Sequence, residues 1–321
     1  VIPLKSDFRS LKEINGDASF RRFYRKKNKN FSSIIVFSKK EKQKNLLIYD
    51  AINKILNKNR ILEPKLLLEN YKKNYIEIQD FGNETLLKIL IKTKKKLFYF
   101  KKVIEILNKI QLVKDRKIKN FKKRIYKVPS YNKEIIIKEA NLFCEWYVKL
   151  ELSKKDRFKF TKKYKMIIKK LVSQIKLKNN VFVHRDFHIS NLMLVNDQIG
   201  VIDTQDALIG NKAYDLASLI DDVRFKTSNA FKNKIYNYYI GKQKDLKKHK
   251  FKNDFEILSV LRNLKIIGIF TRLAVRDKKK KYLKLIPYAW KLIDMRTNNN
   301  KVFLDLRNLL NQSFKKRLNE N

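Results

Sequence analysis

Apolar residues near the start of the chain recur with the period of strands. Residues 20–25 and 33–37 are β-like, the second run nearly continuous in Ile, Val and Phe. Residues 41–56 switch to helical spacing, with Leu46, Leu47, Tyr49, Ile52, Ile55 and Leu56 on one face. Two further strands are predicted at 65–68 and 75–79, joined by a polar hairpin loop over 69–74. The segment Gln79-Asp80-Phe81-Gly82 then breaks the pattern. From Thr85 onward helices dominate, over 94–113, 134–150 and 157–175. A second β island follows, at 181–183, 192–194 and 200–202, before helices resume at Ala213 and run with breaks to the C-terminus. No internal repeat or low-complexity linker interrupts this order. A β-rich lobe over residues 1–82 joined to a mainly helical lobe over 83–321 predicts an α+β, two-lobed architecture.

Composition narrows the class without naming a function. A chain of 321 residues with 44% hydrophobic content buries a sizeable core and is not a disordered segment. No apolar run reaches the roughly eighteen residues a membrane span needs, and no signal peptide is visible, so the expected location is the cytoplasm. One cysteine, Cys144, excludes internal disulfides and Cys-based zinc sites; its place on an apolar helix face predicts a core position. Lys and Arg total 77 against 31 Asp and Glu, a formal charge of +46. Such a balance raises nucleic-acid and anionic-membrane hypotheses. The lysines are spread over the whole chain, however, and accompany abundant Asn, Ile, Phe and Tyr, as in an AT-rich coding background. Short runs such as Lys94-Lys95-Lys96 read as solvated faces. The expectation is incidental affinity for polyanions and no specific nucleic-acid partner.

The β island carries the chemistry. It contains Val183-His184-Arg185-Asp186-Phe187-His188-Ile189-Ser190-Asn191-Leu192, and then Gly200-Val201-Ile202-Asp203. Phosphoryl transfer from ATP needs a base near the acceptor hydroxyl and oxygen ligands for Mg²⁺. The spacing from Asp186 to Asn191 fits the catalytic loop H-R-D-x-x-x-x-N. Two short strands flanking a loop would point Asn191 and Asp203 at one metal ion, leaving Asp186 to orient and deprotonate the acceptor. An isolated His-Arg-Asp would be an unremarkable loop; here its spacing to Asn191, the Ile-Asp that follows and the β-to-α placement agree.

The stretch 183–203 resembles the aminoglycoside phosphotransferase and choline kinase superfamily, which favours H-x-D-x-x-x-x-N followed by I-D. Asp203 is followed here by Thr204-Gln205-Asp206, so the Gly of the protein-kinase D-F-G is missing. Downstream, Ala213-Tyr214-Asp215-Leu216-Ala217-Ser218-Leu219 resembles the superfamily's D-L-A helix. The resemblance implies a protein-kinase-like fold in which Asp215 buttresses the catalytic loop, supported by His184. A closer similarity is to the bacterial anomeric kinases of N-acetylmuramate and N-acetylglucosamine. Gly16-Asp17-Ala18-Ser19-Phe20-Arg21-Arg22-Phe23-Tyr24 resembles their G-D-A-S-x-R-R-Y, and Asp203-Thr204-Gln205-Asp206-Ala207 their D-F-Q-D-A. Residues 213–224, ending Asp221-Asp222-Val223-Arg224, and Phe143-Cys144-Glu145-Trp146-Tyr147 match two more motifs of that branch.

That resemblance implies ATP and Mg²⁺ as cofactors, a small-molecule sugar as substrate and a place in peptidoglycan recycling. Ser19, Arg21 and Arg22 become candidates for covering the phosphates, and Gln79 and Asp80 for an interlobe hinge beside adenine. An ordinary hairpin and an ordinary turn remain the alternatives. The strand over 33–37 lacks the lysine with which protein kinases grip phosphate, leaving Arg21, Arg22 or Lys39 as substitutes. For the sugar, Asp206 is the leading candidate, with Glu139, Trp146 and Arg224 behind it. Glu139 also reads as a helix-surface charge and Trp146 as core. Two other functions stay open at this point: a kinase of aminoglycosides or choline-like acceptors, and a basic nucleic-acid-binding or inactive kinase-like protein. Oligomeric state is not legible.

Overall fold

The computed structural model describes residues 11–14, 21–27, 31–298 and 300–319, the last five by backbone only. In chain order the elements are β1 (Lys12–Ile14), β2 (Arg22–Lys27), β3 (Ser32–Phe37), α1 (Lys44–Lys58), β4 (Leu66–Asn70) and β5 (Tyr75–Gln79). Then come α2 (Leu86–Lys92), α3 (Lys96–Leu112), β6 (Lys117–Lys119), β7 (Ile125–Lys127), α4 (Lys133–Leu142), α5 (Lys154–Ser173) and β8 (Asn179–Val183). The remainder are β9 (Leu192–Val195), β10 (Gln198–Val201), β11 (Leu208–Asn211), α6 (Tyr214–Ile220), α7 (Asn229–Gly241), α8 (Lys248–Val275), α9 (Ile286–Thr297) and α10 (Leu304–Asn319). They form two compact units. The first comprises residues up to Pro129 together with Ile189–Ala207, and the second Ser130–His188 with Leu208–Asn321.

In the first unit five antiparallel strands lie in the order β1-β2-β3-β5-β4. The nearly continuous apolar run of β3 follows from its central place: Ile34, Ile35 and Val36 are all buried. Helix α1 contributes Leu46 and Tyr49 to a core with Ile34, Val36, Ile76 and Ile78. All six apolar residues expected on its inner face are buried, as are the polar Asp50 and Asn53. The β4–β5 connection closes with Asn74 at φ 63°, a left-handed conformation that asparagine tolerates better than most residues. The β9–β10 hairpin belongs to this unit, and Gly200 on β10 makes room for Phe81: a Cβ there would lie 2.7 Å from the ring.

In the second unit β8 pairs antiparallel with β11, so part of the β island finds its partner only after the hairpin. Helix α4 starts at an Asn132 cap and continues into a π-helical turn over Phe143–Val148. That turn directs Phe143 and Tyr147 into an aromatic cluster with Phe160, Tyr164, Trp290 and Phe314. Cys144 is buried there, as its helix-face position predicts. Helix α8, 28 residues long, is buried all round over residues 257–268 and packs on α4, the π turn, α6 and α9. Gly268 permits the closest approach: a Cβ would sit 2.3 Å from the carbonyl oxygen of Leu142. Gly268→Ala is therefore expected to destabilise the fold by at least about 1–3 kcal/mol, since backbone cannot yield as a side chain does. An unfolding midpoint equal to that of the parent would contradict this packing.

No helix among the described residues is long and apolar enough to cross a membrane.

Candidate active site

In the first unit, strand pairing sets the separation of two oxygen donors. Leu192 faces Val201 across the β9–β10 hairpin, and the Ile202 N–H donates to the Asn191 carbonyl at 3.0 Å. Asn191 thus stands opposite the residue before Asp203. Asp203 leaves the strand with φ 63° and ψ 42°, a strained left-handed geometry for a non-glycine residue. Its Oδ1 accepts from Arg21 Nη2 at 2.6 Å and from Gln205 Nε2 at 3.1 Å. Its Oδ2 has no hydrogen bond among the described residues, and the side chain is 37% exposed. Asn191 and Asp203 thus stand close along the chain's hairpin, and Asp203 keeps an accessible carboxylate oxygen; amide and carboxylate oxygens are the hard donors that suit Mg²⁺.

Arg21 is held from several directions. Its side chain is only 3% exposed. Nη1 donates to Gln205 Oε1 at 2.7 Å, and the guanidinium lies 5.6 Å from the Phe23 ring centroid and 5.8 Å from that of Tyr49. Of the three cations left open as substitutes for a strand-3 lysine, Arg21 is the one paired with Asp203. Arg22 makes a two-pronged contact with Glu13 on an exposed edge, and Lys39 is exposed. Thr204, where the sugar-kinase motif has Phe, donates through its hydroxyl to Asn53 on α1.

Glu63 is buried in this unit and accepts from Asn57, while its other carboxylate oxygen has no hydrogen-bond partner among the described residues. Burial, reinforced by the charge of Asp50, pushes its carboxyl from 4.5 up to about 9. The folded chain thus binds a proton that the unfolded chain releases between those values, and stability falls as pH rises across that window. Glu63→Gln removes this slope, so the variant should gain on its parent from pH 6 to pH 9 in urea unfolding. A constant difference between the two proteins would rule the assignment out.

In the second unit, the loop after β8 hangs on Asp215, in the first turn of α6. One carboxylate oxygen accepts the His184 N–H at 2.7 Å and the other the Arg185 N–H at 2.9 Å. This permits Arg185 to hold φ 76°. The Asp186 N–H donates to His184 Nδ1 at 3.3 Å, and the Asp186 carbonyl accepts from the His188 N–H at 3.0 Å. Glu139 is buried and not on the helix surface; its carboxylate binds Arg185, the Tyr131 hydroxyl and, at 3.0 Å, Lys265 Nζ. Three donors explain why a carboxylate sits in the interior: each oxygen is satisfied and the charge is offset.

These cations act on Asp186. Burial alone would raise its carboxyl, but Lys265, Arg262 and Arg185 outweigh it and hold the group far below the usual carboxylate range. His188 moves the other way: burial and the charge of Arg224 push it down to about 4, so it is neutral near pH 7.

The remaining candidates are distributed as follows. Ser19 lies outside the described residues. Gln79 ends β5, its N–H bonded to the Lys65 carbonyl at 2.9 Å. Asp80 is engaged by Arg25 at 2.6 Å and by the Gly82 N–H at 2.8 Å, a latch from the turn to β2. Asp206 is exposed and accepts from Gln205 Nε2 at 3.1 Å. In the second unit, Trp146 is half-buried on the π turn, and Arg224 lies 3.6 Å from Asp222 and over the Phe270 ring. Sequence reasoning missed Arg262 and Lys265. Their signal was available: two cations embedded in the apolar run of α8.

The sequence profile described as APH, phosphotransferase enzyme family, matches residues 10–249. A Neisseria meningitidis protein named N-acetylmuramate/N-acetylglucosamine kinase is 30% identical over 84% of this chain and 80% of its own. A Pseudomonas aeruginosa protein of the same name is 26% identical over 92% of this chain and 86% of its own. Among solved structures, a choline/ethanolamine kinase family protein from Mesorhizobium loti superposes with a TM-score of 0.62 at 10% identity, covering 96% of this chain and 95% of that one. A Plasmodium vivax ethanolamine kinase superposes with a TM-score of 0.60 at 16% identity, covering 89% and 81%. These superpositions establish the kinase-like fold anticipated from the motifs.

Proposed function

Because the chain belongs to the phosphotransferase enzyme family, we propose that it transfers the γ-phosphoryl group of ATP to the anomeric hydroxyl of N-acetylmuramate or N-acetylglucosamine. The observation that carries this reading is the 30% identity to a kinase of that name across most of both chains. Asp186 accepts the proton of the C1 hydroxyl as its oxygen forms the new bond to phosphorus; the bond from phosphorus to the β-phosphate oxygen breaks and ADP leaves. Asn191 and Asp203 hold Mg²⁺, which when bound neutralises charge on the phosphate oxygens. Arg21 takes over the contact to phosphate that strand 3 does not supply, with Arg22 and Ser19 in the same segment. The turn of Gln79 and Asp80 receives adenine, and the sugar ligands are Asp206, Arg224 and Trp146. Asp215 and His184 keep the loop in place. Glu139, by contrast, supports Arg185 and is not a sugar ligand. Such an activity fits peptidoglycan recycling in the cytoplasm.

The test is a phosphate-transfer assay across N-acetylmuramate, N-acetylglucosamine, an aminoglycoside and choline, with product position read by NMR. A sugar 1-phosphate is the expected product. Transfer to the cationic acceptors alone would replace this reading with the neighbouring one.

A further inference from the structure

Helix α8 is apolar through most of its buried length, yet Arg262 and Lys265 stand one turn apart in it. A spacing of three residues puts both on one face. Removing a cation from water is costly unless partners offset the loss. Lys265 has such partners, Glu139 at 3.0 Å and the Tyr214 hydroxyl at 3.5 Å. Arg262 is less complete: it feels the charge of Asp186, but the residue is 4% exposed and its buried Nη1 has no hydrogen-bond partner among the described residues. Asp222, 2% exposed, shows the complementary defect. Its Oδ1 accepts the Arg224 N–H at 3.0 Å, while Oδ2 is buried without a donor among the described residues. Orphaned buried groups are rare in folded proteins, and each calls for a partner such as water, an ion or a ligand. Both lie by the loop that carries Asp186: the charge of Arg262 bears on Asp186 and His188, and that of Asp222 on His188.

We infer that Arg262 binds the carboxylate of an acidic sugar acceptor and so sets the preference for N-acetylmuramate over N-acetylglucosamine, an inference that rests on the acceptor class proposed above. The two sugars differ only in a lactyl ether at O3 that ends in a carboxylate. A guanidinium pairs with a carboxylate through parallel N–H···O contacts, which offset its charge as a neutral hydroxyl cannot. Asp222 Oδ2 then takes a hydroxyl or amide hydrogen of the same ligand. A cationic acceptor would instead meet Arg262 and Lys265 as like charges.

The experiment compares kcat/KM at saturating ATP for N-acetylmuramate, its lactyl carboxamide and N-acetylglucosamine, in the parent chain and in Arg262→Met. The parent should use the carboxamide about 10- to 100-fold less well than the acid, the range expected for a charge-assisted contact. Arg262→Met should treat acid and carboxamide alike, and its loss on N-acetylmuramate should exceed that on N-acetylglucosamine by at least about 10-fold. A parent that does not distinguish acid from carboxamide overturns the inference, whether or not the variant folds. So does a variant that loses all three acceptors by a common factor. Should the parent phosphorylate none of the three, the acceptor class itself is wrong and the inference falls with it.

Discussion

Asp186→Asn is expected to lower kcat by about 10²- to 10⁴-fold, the usual worth of a positioned general base, with nucleotide affinity close to that of the parent. The substitution keeps shape and leaves the backbone contacts of Asp186 with His184 and His188 intact. What it removes is the only feature an amide cannot imitate, a negative charge able to accept a proton. The surrounding cations sharpen the expectation. Because Lys265, Arg262 and Arg185 keep the carboxylate ionised well below its ordinary range, it is a weak base before reaction starts. In the proposed role its contribution comes as the hydroxyl becomes acidic on bonding to phosphorus. The same depression predicts that Asp186 produces no acid limb in the activity profile between pH 5 and 7. Turnover within about 10-fold of the parent would remove Asp186 from the base role.

Asp203→Ala should act on a different step. Loss of a carboxylate ligand is expected to weaken magnesium-dependent nucleotide binding by at least about 10-fold, measured by calorimetry with and without the metal. It also leaves Arg21 without its ion pair. Gln205 and two aromatic rings still hold that side chain, and the exposed side of Asp203 admits water, so the melting temperature should fall only modestly. Pairing the change with Arg21→Met reads the ion pair through stability alone: the melting temperature should recover, while nucleotide binding should not, because Arg21 is itself placed on phosphate. If Asp203→Ala binds nucleotide as the parent does, with the same metal dependence, the ligand role is wrong.

Much of this architecture was readable before any coordinates. Period-two and period-3.6 patterns located β3, α1, β5 and the helices from α3 to α5, because each buries one contiguous face or stripe. The formal charge of +46 was far less informative. The individual cations that matter are buried ones, and a total count cannot distinguish them from solvated lysines.

Sequence alone determined most of the elements, the family motifs and the short strands that flank Asn191 and Asp203, while the register that sets Asn191 opposite Ile202 came from the structure. Tertiary structure decided which charges meet. Arg21 reaches Asp203 across 182 residues, and Glu139 gathers Arg185 and Lys265 from a distant loop and helix. The reason is the range of the forces. Backbone hydrogen bonding and side-chain alternation act between near neighbours and leave a periodic trace. A buried ion pair depends on two surfaces brought together by packing elsewhere, and nothing in the local pattern of either partner records the other.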